Sequence, residues 1–270
     1  CFGQPTTFTD QSSILTGAIN TYTWALEPGE TSADINPVHI FSQTGYQSVG
    51  LTLTSDFGCK DTLHKDIRVY VLPQPAFVHN DTCDHDSVFY HDLSQITEGS
   101  IDQYYWSFGD SFTVDISDPV HQFPAEGFYL TELILTSNYG CLDSITNEVE
   151  IYPLPVVSFY ADPDSGCQPL DVEFVNTSSI TSGYDIERYY WELGIGDPTS
   201  DPFPKVTYYD SGFYDVLLSA FSGNGCFDTT RISDAVEVFP RPKAGFRTEH
   251  EEYLMVHPHV QFTDQSFGAT

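Results

Sequence analysis

The chain has 270 residues, 40% of them hydrophobic and 15% aromatic, with 39 Asp and Glu against 9 Lys and Arg and a formal charge of −30. Such a field repels phosphate backbones and anionic lipid, which argues against nucleic-acid and membrane-surface partners, and no apolar run of about 18 residues is present to span a bilayer. Tyr (17) and Phe (20) are abundant while Met occurs once, a composition of strands rather than helix bundles.

Read in chain order, the sequence repeats itself. Trp24 stands in "TYTWALEPG", Trp106 in "YYWSFGDS" and Trp191 in "RYYWELGIGD", at separations of 82 and 85 residues. Each is followed 21 residues later by a glycine leading into aromatics (Gly45, Gly127, Gly212) and 35 residues later by a Gly-Cys cysteine (Cys59, Cys141, Cys226). Upstream, Cys1, Cys83 and Cys167 precede an aromatic by seven residues (Phe8, Tyr90, Phe174) and a serine by eleven (Ser12, Ser94, Ser178). A period of this length suits a small self-sufficient domain better than a solenoid unit.

The repeats divide the chain at 1–73, 74–153, 154–240 and 241–270, the first shortened at its N-terminus. The fourth only begins: "VQFTDQS" at Val260 nearly reproduces "TTFTDQS" at Thr6, and Met255 stands where the other copies have a leading cysteine. The chain therefore reads as a window from a longer polypeptide. "PQPAF" at Pro73, "PLPVVSF" at Pro153 and "PRPKAGF" at Pro240 read as extended, semi-rigid joints, because Pro-x-Pro fixes φ twice.

Within each repeat the apolar period is two. Val49, Leu51 and Leu53 correspond to Thr131, Leu133 and Leu135 and to Val216, Leu218 and Ala220. This alternation, bounded by Gly and turn residues, predicts half-buried strands. Several such strands in about 80 residues, with no 3.6-residue period, predict an all-β chain of antiparallel sandwiches.

"YYWSFGD", "DPVHQF" (Asp118 to Phe123) and "GFYLTELILTSNYGC" together resemble the PKD (polycystic kidney disease) domain, over three repeats and the start of a fourth. Ser111 departs from the family's final turn glycine, and the first and third copies read "WALEPG" and "GIGD". The resemblance implies tandem Ig-like sandwiches in a rod-like array, with Trp24, Trp106 and Trp191 between the sheets. Gly-Asp then closes a turn that needs positive φ or a side-chain hydrogen bond. Asp110, Asp115, Asp118, Asp197 and Asp201 are candidate calcium ligands in these acid-rich turns; no other cofactor is expected.

Six cysteines fall two per repeat, and the repeat selects the pairing Cys1–Cys59, Cys83–Cys141 and Cys167–Cys226 as the expectation. Such bonds place the chain in an oxidising, extracytoplasmic setting. Zinc is disfavoured, since CxxC pairs and clustered histidines are missing. "CDHD" at Cys83 and "HPH" at His257 do not recur and read as solvated loops.

No HExxH, GxSxG or P-loop occurs, and no pairing of nucleophile and base recurs, so the chain reads as non-enzymatic. After each hairpin cysteine comes an Asp-[Ser/Thr] pair with hydroxyls at Thr62, Ser144 and Thr229, similar to the O-glycosylation signal of the Bacteroidota. Asn80 and Asn176 begin N-glycan patterns. Tandem PKD repeats with this hairpin look like those of large surface proteins from gliding Bacteroidota that use type IX secretion. The resemblance implies a cell-surface stalk or adhesin, with an accessory array of a secreted hydrolase or a filament subunit as alternatives. Neighbouring repeats, surface glycans, proteins or like subunits are the partners expected.

Overall fold

The computed structural model describes residues 1–248 and 261–267; Met255 and the His257–His259 run lie outside the described residues. Every regular element among the described residues is a strand. The chain forms two compact units, Cys1–Ile151 and Tyr152–Thr270, and three separate hydrophobic clusters, one around each tryptophan.

Repeat 2 gives the pattern. A three-stranded sheet orders Val120–Gln122, Ser87–Asp92 and Phe77–His79, and a five-stranded sheet orders Thr113–Val114, Ile101–Ser107, Gly127–Ser137, Leu142–Tyr152 and Thr82–Cys83. Strand Gly127–Ser137 alternates as its sequence requires: Thr131, Leu133 and Leu135 are buried, with exposed Phe128 and Leu130 on the other face. In repeat 3, Val216, Leu218 and Ala220 are buried in the same way. The equivalent strand of repeat 1, Gly45–Ser55, buries Val49 but leaves Leu51 and Leu53 half-buried.

The reason lies in the facing sheet. Phe77 stands edge-on to Trp106 with ring centroids 4.9 Å apart, and Phe159 meets Trp191 at 5.0 Å. In repeat 1 the facing sheet consists of Pro5–Thr7 with Val38–Ile40, and the place of Phe77, six residues before the leading cysteine, falls ahead of Cys1. Trp24 packs on Phe8 at 5.5 Å and borders a groove of about 600 Å³ that Leu51, Leu63 and Ile67 also line.

The repeated serine eleven residues after the leading cysteine is a clamp. Ser94 bonds both the N–H and the carbonyl of Ala76, and Ser178 does the same to Ser158. These bonds anchor the strand that follows each Pro-x-Pro joint. The joints themselves pair onto the repeat ahead, through the bridges Gln74–Gln95 and Val156–Ser179. At the C-terminus Phe246–Thr248 pairs antiparallel with Phe262–Asp264, and Ser266 clamps Gly245.

The turn after Trp106 needs its glycine for two reasons. Gly109 has φ +82, and a Cβ there would lie 2.9 Å from the Leu130 carbonyl oxygen. A left-handed conformation alone costs a side-chain-bearing residue roughly 1–2 kcal/mol. Gly109→Ala is therefore expected to destabilise repeat 2 by at least that amount in urea unfolding. Gly29→Ala, at φ +89 in open space, should cost less.

Candidate functional site: the joint between repeats

The geometry of the cysteines overturns the expected pairing. Cys1 is bonded to Cys141, 140 residues away, with Cα atoms 5.5 Å apart. Cys59 and Cys167 are free and exposed, while Cys83 and Cys226 are disulfide-bonded. The predicted bonds Cys1–Cys59, Cys83–Cys141 and Cys167–Cys226 are therefore all incorrect.

Strand length explains why. Each hairpin cysteine immediately precedes the last strand of its repeat: Lys60–Val69, Leu142–Tyr152 or Phe227–Phe239. Each leading cysteine sits beside the far end of that same strand. Phe2 N–H donates to the Tyr70 carbonyl at 2.8 Å, Gln168 N–H to Phe239 at 3.0 Å, and Thr82–Cys83 borders Leu142–Tyr152. Ten or more residues at roughly 3.3 Å each separate the two cysteines by over 30 Å. A disulfide needs Cα atoms within about 7 Å. The two cysteines of one repeat occupy opposite ends of it, and the bond reaches instead from the end of one repeat to the hairpin of the next.

The hairpin that presents the cysteine is built alike three times. The Ser55, Ser137 and Ser222 hydroxyls accept the N–H of Cys59, Cys141 and Cys226 at 3.1–3.2 Å. The serine N–H groups donate back to the cysteine carbonyls at 2.7–2.9 Å. Gly58, Gly140 and Gly225 hold the φ of +76 to +87 that the turn requires.

Around Cys1–Cys141 the joint is packed. Tyr70, at the end of repeat 1, stacks on Tyr139, at the tip of the repeat 2 hairpin, with centroids 4.0 Å apart and planes 16° from parallel. The Arg68 guanidinium lies 5.3 Å from the Tyr70 ring centre and 5.9 Å from that of Tyr139, and pairs with Glu98. A covalent bond, an aromatic stack and an ion pair thus tie the two repeats together. Neither the stack nor the ion pair was foreseen in the sequence.

The acid-rich turns hold their carboxylates for structural ends. Asp110 accepts the Phe112 N–H at 3.0 Å on one oxygen and meets His121 Nε2 at 2.7 Å on the other. That buried pair lies beneath Phe112, with the imidazole stacked 4.2 Å from Phe108. In repeat 1, Glu27 takes the acid's role: it meets His39 at 3.5 Å and accepts from Ser42. Repeat 3 has Val206 where these histidines stand.

Asp201 accepts from Phe203 N–H, while Asp115 and Asp197 are exposed. No group of three or more His, Cys, Asp or Glu placed to hold a metal occurs among the described residues. The calcium candidates are thus not brought together.

Asp118 accepts the Asp92 N–H and contacts His91 and Ser117, and these bonds, that from Asp92 foremost, hold its carboxyl below the usual 3.8. A depressed carboxylate contributes stability above its unfolded value and loses it as pH falls through the folded one. Asp118→Asn should therefore flatten the loss of stability below pH 3.8, measured as urea midpoints across an acid titration. An unchanged slope would remove Asp118 from the acid response.

Thr62, Ser144 and Thr229 are all exposed, each the third residue of its last strand. Each follows an aspartate whose carboxylate accepts its N–H at 2.7–2.9 Å. Two of the hydroxyls also meet a cross-strand partner, Thr62 with Thr52 at 2.9 Å and Thr229 with Ser219 at 2.8 Å. The Asp-[Ser/Thr] pair thus has a local structural role and leaves its hydroxyl accessible.

The family model described as "PKD domain" matches residues 1–71 and 70–152. Among solved structures, the PKD1 domain of Vibrio anguillarum Epp is 22% identical, with 30% of this chain and 95% of that chain covered and a TM-score of 0.29. The PKD1 domain from the Vibrio cholerae metalloprotease PrtV is 23% identical over 30% of this chain and 98% of that chain, at 0.29. The N-terminal eight Ig domains of Down Syndrome Cell Adhesion Molecule are 10% identical over 89% of this chain and 35% of that chain, at 0.47.

Proposed function

This chain belongs to the PKD domain family, and from that membership we propose that it is a non-enzymatic, tension-bearing stalk segment of an extracellular or cell-surface protein. The observation that carries the reading is the Cys1–Cys141 bond across a joint. A bond within one repeat would stabilise that repeat alone. A bond from one repeat to the next carries load across the linker, which is the weakest point of a beads-on-string chain.

The load line runs from Cys1 through the disulfide into the start of Leu142–Tyr152. That strand is paired with Gly127–Ser137 from Thr136–Leu142 to Gly127–Ile151. Force along it is carried by the covalent backbone of that strand, and residues 2–140, with Gly127–Ser137 among them, are bypassed while the bond is closed. Structural disulfides also fit an oxidising compartment, and −30 net charge fits a solvated, self-repelling molecule. Immunolabelling of intact cells of the native host tests the location: the stalk reading expects label without permeabilisation, and label only after lysis overturns it.

The finer reading is a surface protein of the gliding, type IX-secreting Bacteroidota class with O-glycans at Thr62, Ser144 and Thr229. Its support is the exposure of all three hydroxyls beside an aspartate. Glycans at one end of every last strand would screen strand edges from neighbouring chains. Peptide mass spectrometry of host protein is expected to find hexose-bearing peptides at these positions; bare peptides at all three would end the idea. A filament subunit is the second reading, favoured by exposed Tyr46, Phe128 and Phe213 at one equivalent position.

A further inference from the structure

Cys59 and Cys167 are the two thiols left over, and they are not alike. Cys59 is the counterpart of Cys141, on a hairpin with the same Ser-to-Cys hydrogen bonds. Cys167 is the counterpart of Cys1, beside the far end of a last strand. The two are opposite halves of the bond that Cys1 and Cys141 make.

A second observation points the same way. At the closed joint, Tyr70 beside Cys1 stacks on Tyr139 beside Cys141. The residue equivalent to Tyr139 next to Cys59 is Phe57, which is 74% exposed. The residue equivalent to Tyr70 next to Cys167 is Phe239, identified by the Gln168-to-Phe239 bond that matches Phe2-to-Tyr70, and it is 43% exposed. Each ring is more exposed than its counterpart at the closed joint, where Tyr139 is 38% exposed and Tyr70 is half-buried.

We propose that Cys59 with Phe57 and Cys167 with Phe239 are two open half-joints, each of which takes the complementary half of another PKD repeat through a disulfide and an aromatic stack. Cys59 takes a leading cysteine, and Cys167 takes a Gly-Cys hairpin. Bond formation removes two protons and two electrons from each thiol pair. A disulfide oxidant of the compartment accepts them and leaves as two thiols. The partner repeat belongs either to the same polypeptide or to a second copy; both present the same chemistry. The inference rests on joint geometry and not on surface location, so its failure would leave the stalk reading to the labelling of intact cells.

Non-reducing peptide mapping of alkylated protein from the native host is the test. The expected result is Cys59 linked to a cysteine seven residues before an aromatic, and Cys167 linked to a Gly-Cys-x-Asp-[Ser/Thr] peptide. A gel run without reductant then separates the sources: linkage at single-chain mass means the same polypeptide, and a ladder means copies. Alkylated Cys59 and Cys167, small-thiol adducts, or Cys59–Cys59 and Cys167–Cys167 links overturn the proposal.

The 270-residue chain provides a second measurement. In a glutathione redox buffer, links between copies should be Cys59–Cys167 in several-fold excess over like-with-like links. Phe57→Ala should abolish that excess while maleimide labelling of Cys59 stays unchanged. A statistical mixture in the unsubstituted chain would show that the rings select nothing and would overturn the half-joints.

Discussion

Opening the Cys1–Cys141 bond should lengthen the chain under load by several hundred ångströms. With the bond closed, force applied at the termini bypasses the intervening residues, because it crosses at the sulfurs. The sequence separation is 140, and an extended chain spans roughly 3.3–3.6 Å per residue. Reduction therefore exposes about 460–500 Å of new contour, less the short distance between the bonded ends. The measurement is a pulling experiment on a chain whose other four cysteines are Ser, so that Cys1 and Cys141 alone decide the path. The extra length should arrive in two steps, since repeats 1 and 2 have separate cores. Equal total extension with and without reductant would mean that the disulfide does not carry the load.

The same bond has a thermodynamic signature. In the chain-entropy model, closing a loop of this size lowers the entropy of the unfolded chain by an amount worth about 5 kcal/mol, at the upper end of what disulfides deliver. Cys1→Ser should lower the unfolding free energy of the first unit by a few kcal/mol and raise its susceptibility to protease near Pro73. The stack of Tyr70 on Tyr139 remains in that variant, so any residual ordering of the joint measures the aromatic contribution.

The repeat made most of the fold legible and misled about the bonds. Equal spacing establishes which residues are equivalent, so the buried tryptophans, the alternation at Leu133 and Leu135 and the Gly-Cys hairpins could all be read. Spacing does not say at which end of a sandwich two residues lie. The predicted pairing treated cysteines in one repeat as neighbours, although a last strand of ten or more residues had to run between them. The leading cysteine was hard to read as a strand residue: Cys1 lies in no strand, Thr82–Cys83 and Ser165–Cys167 are two and three residues long, and Ser165–Cys167 pairs in parallel with Glu237–Phe239.

The buried histidine pairs had a weak signal. His39 and His121 recur fifteen residues after Trp24 and Trp106, but their acids come from different positions. Glu27 lies three residues after its tryptophan and Asp110 four, so the longer side chain makes up for the different position. A search for identical residues at identical spacing misses such an exchange.

In the 270-residue chain, replacing Trp106 should be more damaging than the same change at Trp24. Trp106 is 0% exposed, faces Phe77 and Tyr90 at 4.9 and 5.4 Å, and donates its indole N–H to the Ile116 carbonyl at 2.8 Å. Trp106→Ala leaves a cavity walled by rigid rings and an unpaired carbonyl, a combination expected to cost about 3–5 kcal/mol. Tyr90 amplifies the effect: burial raises its phenol to about 12, and its hydroxyl is held by Thr131 at 3.0 Å, so the walls cannot collapse inward without breaking that bond. Trp24 is 7% exposed, its indole nitrogen has no partner, and one side opens on the groove. Its removal deepens an existing space and strands no polar group. Urea unfolding of Trp24→Ala and Trp106→Ala, each followed by the remaining tryptophans and by circular dichroism, should rank Trp106 as the costlier loss by at least about 1 kcal/mol. An equal or reversed ranking would show that the groove beside Trp24 does not weaken the first core.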